Sequence, residues 1–60
     1  MNTIELTLTN GNMVTVNKDA ICYMENEGEF VKIQFIGTED NYIEVNDKYE
    51  DILKLYRTTY

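Results

Sequence analysis

The stretch Phe-Val-Lys-Ile-Gln-Phe-Ile, residues 30–36, decides the fold that this sequence predicts. It combines strong strand formers with polar residues at alternate central positions, which is typical of a β-strand. In an extended chain its side chains alternate between two sides, with Val31, Ile33 and Phe35 on one and Lys32 and Gln34 on the other. The stretch is therefore predicted to be a central strand with one core face. An acidic substitution should then do far more damage at Ile33 than at Gln34.

The segments around this strand are predicted to form an antiparallel meander of about five short strands. Apolar and polar residues alternate from Thr3 to Thr9, as in a strand with one buried face. Asn10-Gly11 then predicts a two-residue type I′ turn, because both residues tolerate positive φ. The remaining strands are predicted at 13–16, 21–25, 30–36 and 42–45. The polar segments 26–29 and 37–41 are predicted to be turns, and 17–20 is predicted to be a turn or one short helical turn.

The last segment changes period and predicts one amphipathic helix. Its apolar residues recur at i, i+3, i+4 and i+7, namely at Tyr49, Ile52, Leu53 and Tyr56. Asp47 followed by Glu50 resembles a capping box, and Asn46 is an alternative cap. The fold class predicted for residues 1–60 is a single α+β domain, mainly β, with this C-terminal helix packed on one face of the meander.

The length of the chain predicts that the protein associates with itself. Folding a chain of this mass buries roughly 6,000 Å² of surface. That burial contributes about 90 kcal/mol, and ordering the residues costs about the same. Domains this small usually gain stability from disulfides, metal ions or oligomerisation. The single cysteine, Cys22, excludes an internal disulfide, and a structural zinc site is not expected without histidine. A homo-oligomer is therefore predicted.

The charge balance argues against nucleic-acid and membrane partners. Five basic and eleven acidic residues give a net charge of −6 at pH 7, the wrong sign for binding a phosphate backbone. No apolar stretch approaches the ~18 residues that a membrane span needs, and the first residues do not resemble a secretory leader. The lone cysteine fits a reducing compartment. Duplex DNA and a membrane are thus not expected as partners, and the predicted location is the cytoplasm.

The residue types also predict a protein without catalytic activity. Histidine is absent, which removes the usual general base. Cys22 has no histidine to activate it and is predicted to be an inert thiol. The carboxylates fall at no spacing that is diagnostic of catalysis or of a calcium loop, and the isolated glycines form no phosphate-binding loop. No enzyme activity, metal or cofactor is therefore expected.

Two candidate binding surfaces follow from the predicted strands. The first is the sheet face opposite the helix, which carries more apolar and aromatic side chains than a solvated face needs. Its candidate residues, for self-association or for a partner, are Cys22, Met24, Phe30, Lys32, Gln34, Ile36 and Tyr42. The second is an acidic surface for a partner with a basic surface, made of Glu25, Glu27, Glu29, Glu39 and Asp40.

The order of these elements resembles the small FlbD/SwrD family of flagellar and swarming-motility proteins. The similarity spans nearly the whole chain and rests on the spaced aliphatic residues of the first strand, the Asn10-Gly11 turn, the Val16-Asn17 step, Ile21 and the acidic start of the helix. The resemblance implies a non-enzymatic accessory protein and supplies no catalytic residues.

Residues 16–55 also resemble, more weakly, the strand pairs of LytTR-type DNA-binding domains. The resemblance rests on Ile21-Cys22-Tyr23-Met24-Glu25 and on Phe30-Val31-Lys32-Ile33. Those domains carry basic loops that contact DNA. The corresponding turns in this chain are acidic, with Glu27, Glu29, Glu39 and Asp40.

Three functions remain open on the sequence alone. The leading hypothesis is a small non-catalytic accessory protein that binds protein partners as a homo-oligomer, with a role in motility. The second is an acidic inhibitor of the type that phages encode, which would cover a basic nucleic-acid-binding surface. An inhibitor of this kind should gather its carboxylates on one face. The third is a small-ligand binder with an aromatic pocket between subunits.

We expect no measurable binding to duplex DNA at physiological salt, because a net charge of −6 opposes phosphate contacts. Attraction to basic protein surfaces should instead weaken as the salt concentration rises. Gel-shift assays and salt titrations measure the two effects. Sub-micromolar affinity for DNA in the shift assay would contradict this expectation and favour the resemblance to DNA-binding domains.

Overall fold

A computed structural model describes residues 2–58 of the chain. It confirms an α+β fold, mainly β, in which five antiparallel strands precede a C-terminal helix. The elements are β1 (Thr3–Thr7), β2 (Met13–Asn17), a 3₁₀ turn (Lys18–Ala20), β3 (Ile21–Asn26), β4 (Val31–Phe35), β5 (Tyr42–Val45) and α1 (Tyr49–Arg57). Within the described residues no helix has the length and apolarity that crossing a membrane requires.

The meander divides into two sheets that meet along β1 and β5. In the first sheet β1 pairs with β2, and in the second β4 lies between β3 and β5. Leu8 forms an antiparallel bridge with Val45. Beside it, the amide of Asn46 donates a hydrogen bond to the Thr7 carbonyl at 2.8 Å. The strands therefore lie in the order β2–β1–β5–β4–β3, so that the first and last strands of the meander are neighbours.

The first hairpin turn lies where Asn10-Gly11 predicted it, but it is not of type I′. The Leu8 amide donates to the Asn12 carbonyl at 2.8 Å, and the Leu8 carbonyl accepts from the Gly11 amide at 2.9 Å, so three residues form the loop. Gly11 has a positive φ of 94°, whereas Asn10 does not. The Asn10 side chain instead accepts a hydrogen bond from the Asn12 amide at 2.9 Å, which stabilises an Asx turn. Glycine at the positive-φ position is typical of three-residue hairpin loops.

Both sheets and the helix pack on one small apolar core. Its buried residues are Ile4, Leu6, Val16, Val31, Ile33, Val45 and Ile52. Ile33 is completely buried and Val31 almost so, which confirms the predicted core face of β4. Phe35, on the same face, is partly buried against the core. The helix packs through Ile52, which has no exposed surface, and through Tyr49, which is partly buried against the core. Tyr56, at the far end of the predicted stripe, is 38% exposed.

Lys18, in the 3₁₀ turn, is buried, which no pattern in the sequence indicates. Its side chain is 5% exposed, and its ammonium donates to the carbonyls of Tyr56 and Thr58 at 3.3 and 3.4 Å. The ammonium also lies 5.9 Å from the centroid of the Tyr56 ring. These carbonyls are at the C-terminal end of α1, where the helix macrodipole favours a cation. Lys18 therefore fixes the end of the helix to the connection between the two sheets.

The start of α1 differs from the predicted capping box. Neither Asp47 nor Asn46 is the N-cap, which is Lys48 and makes no capping hydrogen bond with its side chain. Asp47 Oδ1 instead accepts from the Thr7 amide at 2.7 Å. Thr7 is the last residue of β1. The carboxylate that the sequence assigned to the helix cap therefore ties the start of the helix to the end of β1.

Replacing Asp47 by alanine should destabilise the protein by about 1–3 kcal/mol, because a part-buried amide of β1 loses its acceptor. Urea unfolding followed by circular dichroism measures the difference. Glu50→Ala is the matched control, since it removes an exposed carboxylate from the first turn of the helix. That control should cost about 0.5 kcal/mol or less. Equal losses in the two variants would contradict the strand contact and favour a capping box.

Candidate functional site

The face of the β3–β4–β5 sheet that points away from the core carries a row of aromatic side chains. The register places Tyr23 and Tyr42 on either side of Gln34. We call these three residues the aromatic row. The two tyrosines are 49% and 43% exposed, and Ile36, just beyond the end of β4, is 60% exposed. Large apolar groups therefore lie together at the surface of this sheet.

A second row crosses the same face two residues away along each strand. The register places Lys32 between Glu25 and Glu44, and we call these three residues the acidic row. Two residues of a strand span about 7 Å, which sets the distance between the rows. The Lys32 ammonium lies 4.6 Å from the centroid of the Tyr42 ring, in a cation–π contact that draws it toward the aromatic row. Both rows and Ile36 together form the outer face.

Glu27 extends the acidic row into the turn that follows β3. The pKa of Glu27 is raised above its ordinary value of 4.5, because its protonated carboxyl group can donate a hydrogen bond to the Glu25 carboxylate and because the charge of Glu25 repels its ionised form. Glu44 adds to this repulsion, whereas the positive charge of Lys32 lowers the pKa. Glu25 and Glu44 are thus both close enough to repel the ionised Glu27 carboxylate.

Gln34 is buried although it points away from the core. Its side chain is 7% exposed. Its Nε2 donates to the carbonyls of Thr38 and Asn41 at 3.1 and 3.2 Å, and to that of Phe35 at 3.4 Å. The loop formed by residues 36–41 therefore folds over Gln34. Gln34 lies on the predicted side of β4 but is buried there, because its amide is the donor that holds this loop. That an acidic substitution costs less here than at Ile33 stays a prediction.

The loop and the outer face form a cleft of about 450 Å³. Tyr23 and Ile36 line its apolar part, and Glu39 and Asp40 contribute carboxylates from the loop. The loop follows β4 at the end of the sheet that is remote from the acidic row. Acidic side chains therefore lie on both sides of the aromatic row.

The structure brings together most residues of the predicted association face, but not Met24 and Phe30. On or beside the outer face lie Cys22, Lys32, Gln34, Ile36 and Tyr42. Met24 pairs with Ile33 and packs against the core. Phe30 precedes β4 and belongs to the turn, where its carbonyl accepts from the Glu27 amide at 3.0 Å. The placement of these two residues on the association face was therefore wrong.

An irregularity in β3 explains why Met24 was misplaced and Tyr23 was missed. Strict alternation puts Cys22 and Met24 on one face and Tyr23 on the other. The pairing shifts between Ile21 and Tyr23, so Cys22 is an extra residue in a β-bulge. Beyond the bulge Tyr23 points outward and Met24 inward. A signal was present in the sequence, because Ile21 and Met24 are both apolar although regular alternation would separate them.

The predicted acidic surface is divided between different places. Beside the aromatic row lie Glu25, Glu27, Glu39 and Asp40. Glu29 lies apart from them and, with Tyr49, lines a cleft of about 260 Å³ near the start of α1. Glu44 was missed because it stands alone in the sequence. Only the pairing of β4 with β5 brings it next to Lys32.

Comparison with known proteins adds no assignment. No family model matches the chain, and neither a curated protein nor a solved structure matches it significantly. Among residues 2–58 no three cysteine, aspartate or glutamate side chains come together in a way that could hold a metal ion. The outer face, with its exposed apolar side chains and flanking carboxylates, is therefore the candidate functional site.

Gln34→Glu should destabilise the protein at neutral pH by about 1–3 kcal/mol, because a carboxylate would face the carbonyl oxygens that the Gln34 amide binds. Burial among carbonyl oxygens raises the pKa of the new carboxyl group in the folded state. The loss should therefore be absent below the unfolded-state pKa of about 4.3 and should grow as pH rises through the higher folded-state value. Urea unfolding at several pH values measures this dependence.

Asn10→Asp is the control for this variant. It makes the same change in charge in an exposed turn, where the side-chain oxygen already serves as an acceptor. It should cost little at any pH. A loss for Gln34→Glu that does not vary with pH, or that Asn10→Asp reproduces, would show that the Gln34 amide does not hold the loop as a donor.

Proposed function

We propose that this protein is a small non-catalytic accessory protein that binds other protein chains through its outer face and works as a homo-oligomer. The observation that carries the proposal is the exposure of Tyr23, Ile36 and Tyr42 together on that face. Monomeric proteins seldom gather large apolar side chains at the surface unless the patch binds something. Tyrosine is also enriched at the centres of protein interfaces.

A protein chain fits this surface better than a small ligand does. The cleft beside Ile36, at about 450 Å³, falls within the size range of ligand sites. Such sites also direct polar groups at the ligand. The Gln34 amide is committed to loop carbonyls, and the Lys32 ammonium lies over the Tyr42 ring. The apolar surface also continues past the cleft onto Tyr42, which suits a larger partner.

Self-association would add the apolar burial that a chain of sixty residues lacks. Two copies that meet through their outer faces about a two-fold axis would bury both aromatic rows. The carboxylates beside each row would then come near those of the other copy. Because salt screens this repulsion, self-association should strengthen as the salt concentration rises.

The cellular setting is proposed from two observations. The resemblance of nearly the whole chain to the FlbD/SwrD family supports a role connected with flagellar or swarming motility. The exposed free thiol of Cys22 fits the reducing environment of the cytoplasm.

A second candidate function is supported by the carboxylates. An acidic inhibitor of a nucleic-acid-binding protein should gather its carboxylates on one face, and five of them flank the aromatic row. Such an inhibitor would bind through charge more than through apolar contacts. Partner binding that survives Ile36→Thr but is lost on neutralising the carboxylates would favour this function over the first.

The melting temperature of the wild-type protein should rise with its concentration, because mass action favours the associated state. At fixed concentration it should also rise with moderate salt, as the repulsion between outer faces is screened. Ile36→Thr and Tyr42→Ser remove exposed apolar surface from the outer face, so each should weaken the dependence on concentration. Thermal unfolding over a dilution series and analytical ultracentrifugation measure these effects.

Met13→Thr is the matched control, since Met13 is an exposed apolar residue of β2 with 65% of its surface accessible. It should leave the concentration dependence unchanged. A monomer at high concentration, with a melting temperature independent of dilution, would rule out the homo-oligomer. Loss of association in Met13→Thr but not in Ile36→Thr would place the interface elsewhere.

A further inference from the structure

We infer that the partner of the outer face is a basic amphipathic helix of another protein. Its apolar stripe would lie along the aromatic row, and its lysine and arginine residues would flank the stripe on both sides. The inference rests on the proposed function and adds the chemistry of the partner chain.

The spacing of the aromatic row matches the stripe of a helix. Neighbouring strands lie about 4.8 Å apart, so the row from Tyr23 through Gln34 to Tyr42 spans about 10 Å. Gln34, in the middle of the row, is buried under the loop of residues 36–41, so a helix lying across the strands would meet the exposed tyrosines at the two ends of the row. Residues seven apart lie on one face of an α-helix and rise about 10.5 Å along its axis, which matches this distance.

The flanking charges specify a basic partner. One side of the aromatic row holds Glu25, Glu27 and Glu44, and the other holds Glu39 and Asp40. The acidic row is about 7 Å from the aromatic row, which is within reach of a lysine or arginine from a helix of about 10 Å diameter. The hydrogen bond with Glu25 and, after it, the repulsion by the Glu25 charge raise the pKa of Glu27, and an approaching cation relieves this repulsion.

Lys32 does not reverse this complementarity. Five carboxylates surround the aromatic row together with this one ammonium. The ammonium is 4.6 Å from the Tyr42 ring centroid, where its hydrocarbon stem adds to the apolar surface of the face. The charge presented to a partner therefore remains negative on both sides of the row.

A second copy of the chain complements this face less well. Two simple two-fold arrangements lay one sheet on the other, with the axis either along the strands, which keeps their direction, or across them, which reverses it. In the first arrangement the acidic row of one copy faces the acidic row of the other. In the second it faces the other copy's Glu39 and Asp40. Like charges meet in both cases, which costs free energy, so a basic helix should displace the second copy.

The inference is tested by measuring how designed peptides bind to the full chain. The probe is a helical peptide of about 18 residues, long enough to hold helical structure, with leucines in one stripe and lysines on both flanks. One comparison peptide replaces every lysine by glutamate. Another keeps the leucine and lysine composition but scatters the leucines around the helix. Fluorescence anisotropy at several salt concentrations gives the affinities, and amide chemical shifts locate the contact.

The striped lysine peptide should bind with shifts at Tyr23, Ile36 and Tyr42, and its affinity should fall as salt rises. The affinity of each of the two comparison peptides should be lower by a factor of roughly ten or more. Glu25→Gln combined with Glu44→Gln should weaken binding roughly fivefold. The matched control, Glu5→Gln with Asp51→Asn, makes the same change in net charge at exposed positions of β1 and α1. It should change the affinity by less than about twofold.

Equal binding of the glutamate peptide, equal losses in the two double variants, or shifts confined to another face would overturn the inference. If the lysine peptide does not bind while the melting temperature still depends on dilution, the basic helix is wrong and the proposed self-association stands. If neither the peptide nor a second copy binds, both proposals fail. Competition between the peptide and self-association, seen as dissociation of the oligomer, would support both.

Discussion

The pairing of β1 with β5 is the constraint on which the rest of the fold depends. It joins Leu8 to Val45, and beside it the Asp47 carboxylate accepts from the Thr7 amide, 40 residues earlier in the chain. Bringing such distant segments together costs chain entropy that local contacts do not offset. The pairing offsets this cost because it lets the two-stranded and the three-stranded sheet bury their apolar faces in one core. A two-stranded hairpin would be marginally stable alone.

The parts of the fold that follow from a repeating pattern could be predicted from the sequence. Alternation located the core faces of β1 and β4, and the helical spacing located Ile52. The parts that depend on a distant partner could not. Asp47 satisfies the local rule for a cap, but its hydrogen-bond donor lies in β1. Lys18 lies in a predicted turn, where a lysine is normally exposed. It is buried because the end of α1, which is distant in the sequence, lies over it in the folded chain.

The candidate site could be predicted in outline only. The pattern of β4 shows which of its side chains leave the core, and most of the outer face follows from that. Because of the bulge at Cys22, the outer face contains Tyr23 and not Met24. The pairing of β5 with β4 adds Glu44 to the outer face. Gln34 shows that a side chain can point away from the core and still be buried, because a neighbouring loop covers it.

The helix α1 is attached to the sheets near both of its ends. Asp47, just before it, contacts β1, and Lys18 binds its last carbonyls. A helix of nine residues is too short to persist alone and ordinarily frays from its ends. In this protein, fraying of the first turn breaks the contact of Asp47 with β1, and fraying of the last turn breaks the contact with Lys18, which directly follows β2. The amide hydrogens of α1 should therefore exchange with solvent through the same opening that exposes the hairpin, so helix and hairpin form one cooperative unit.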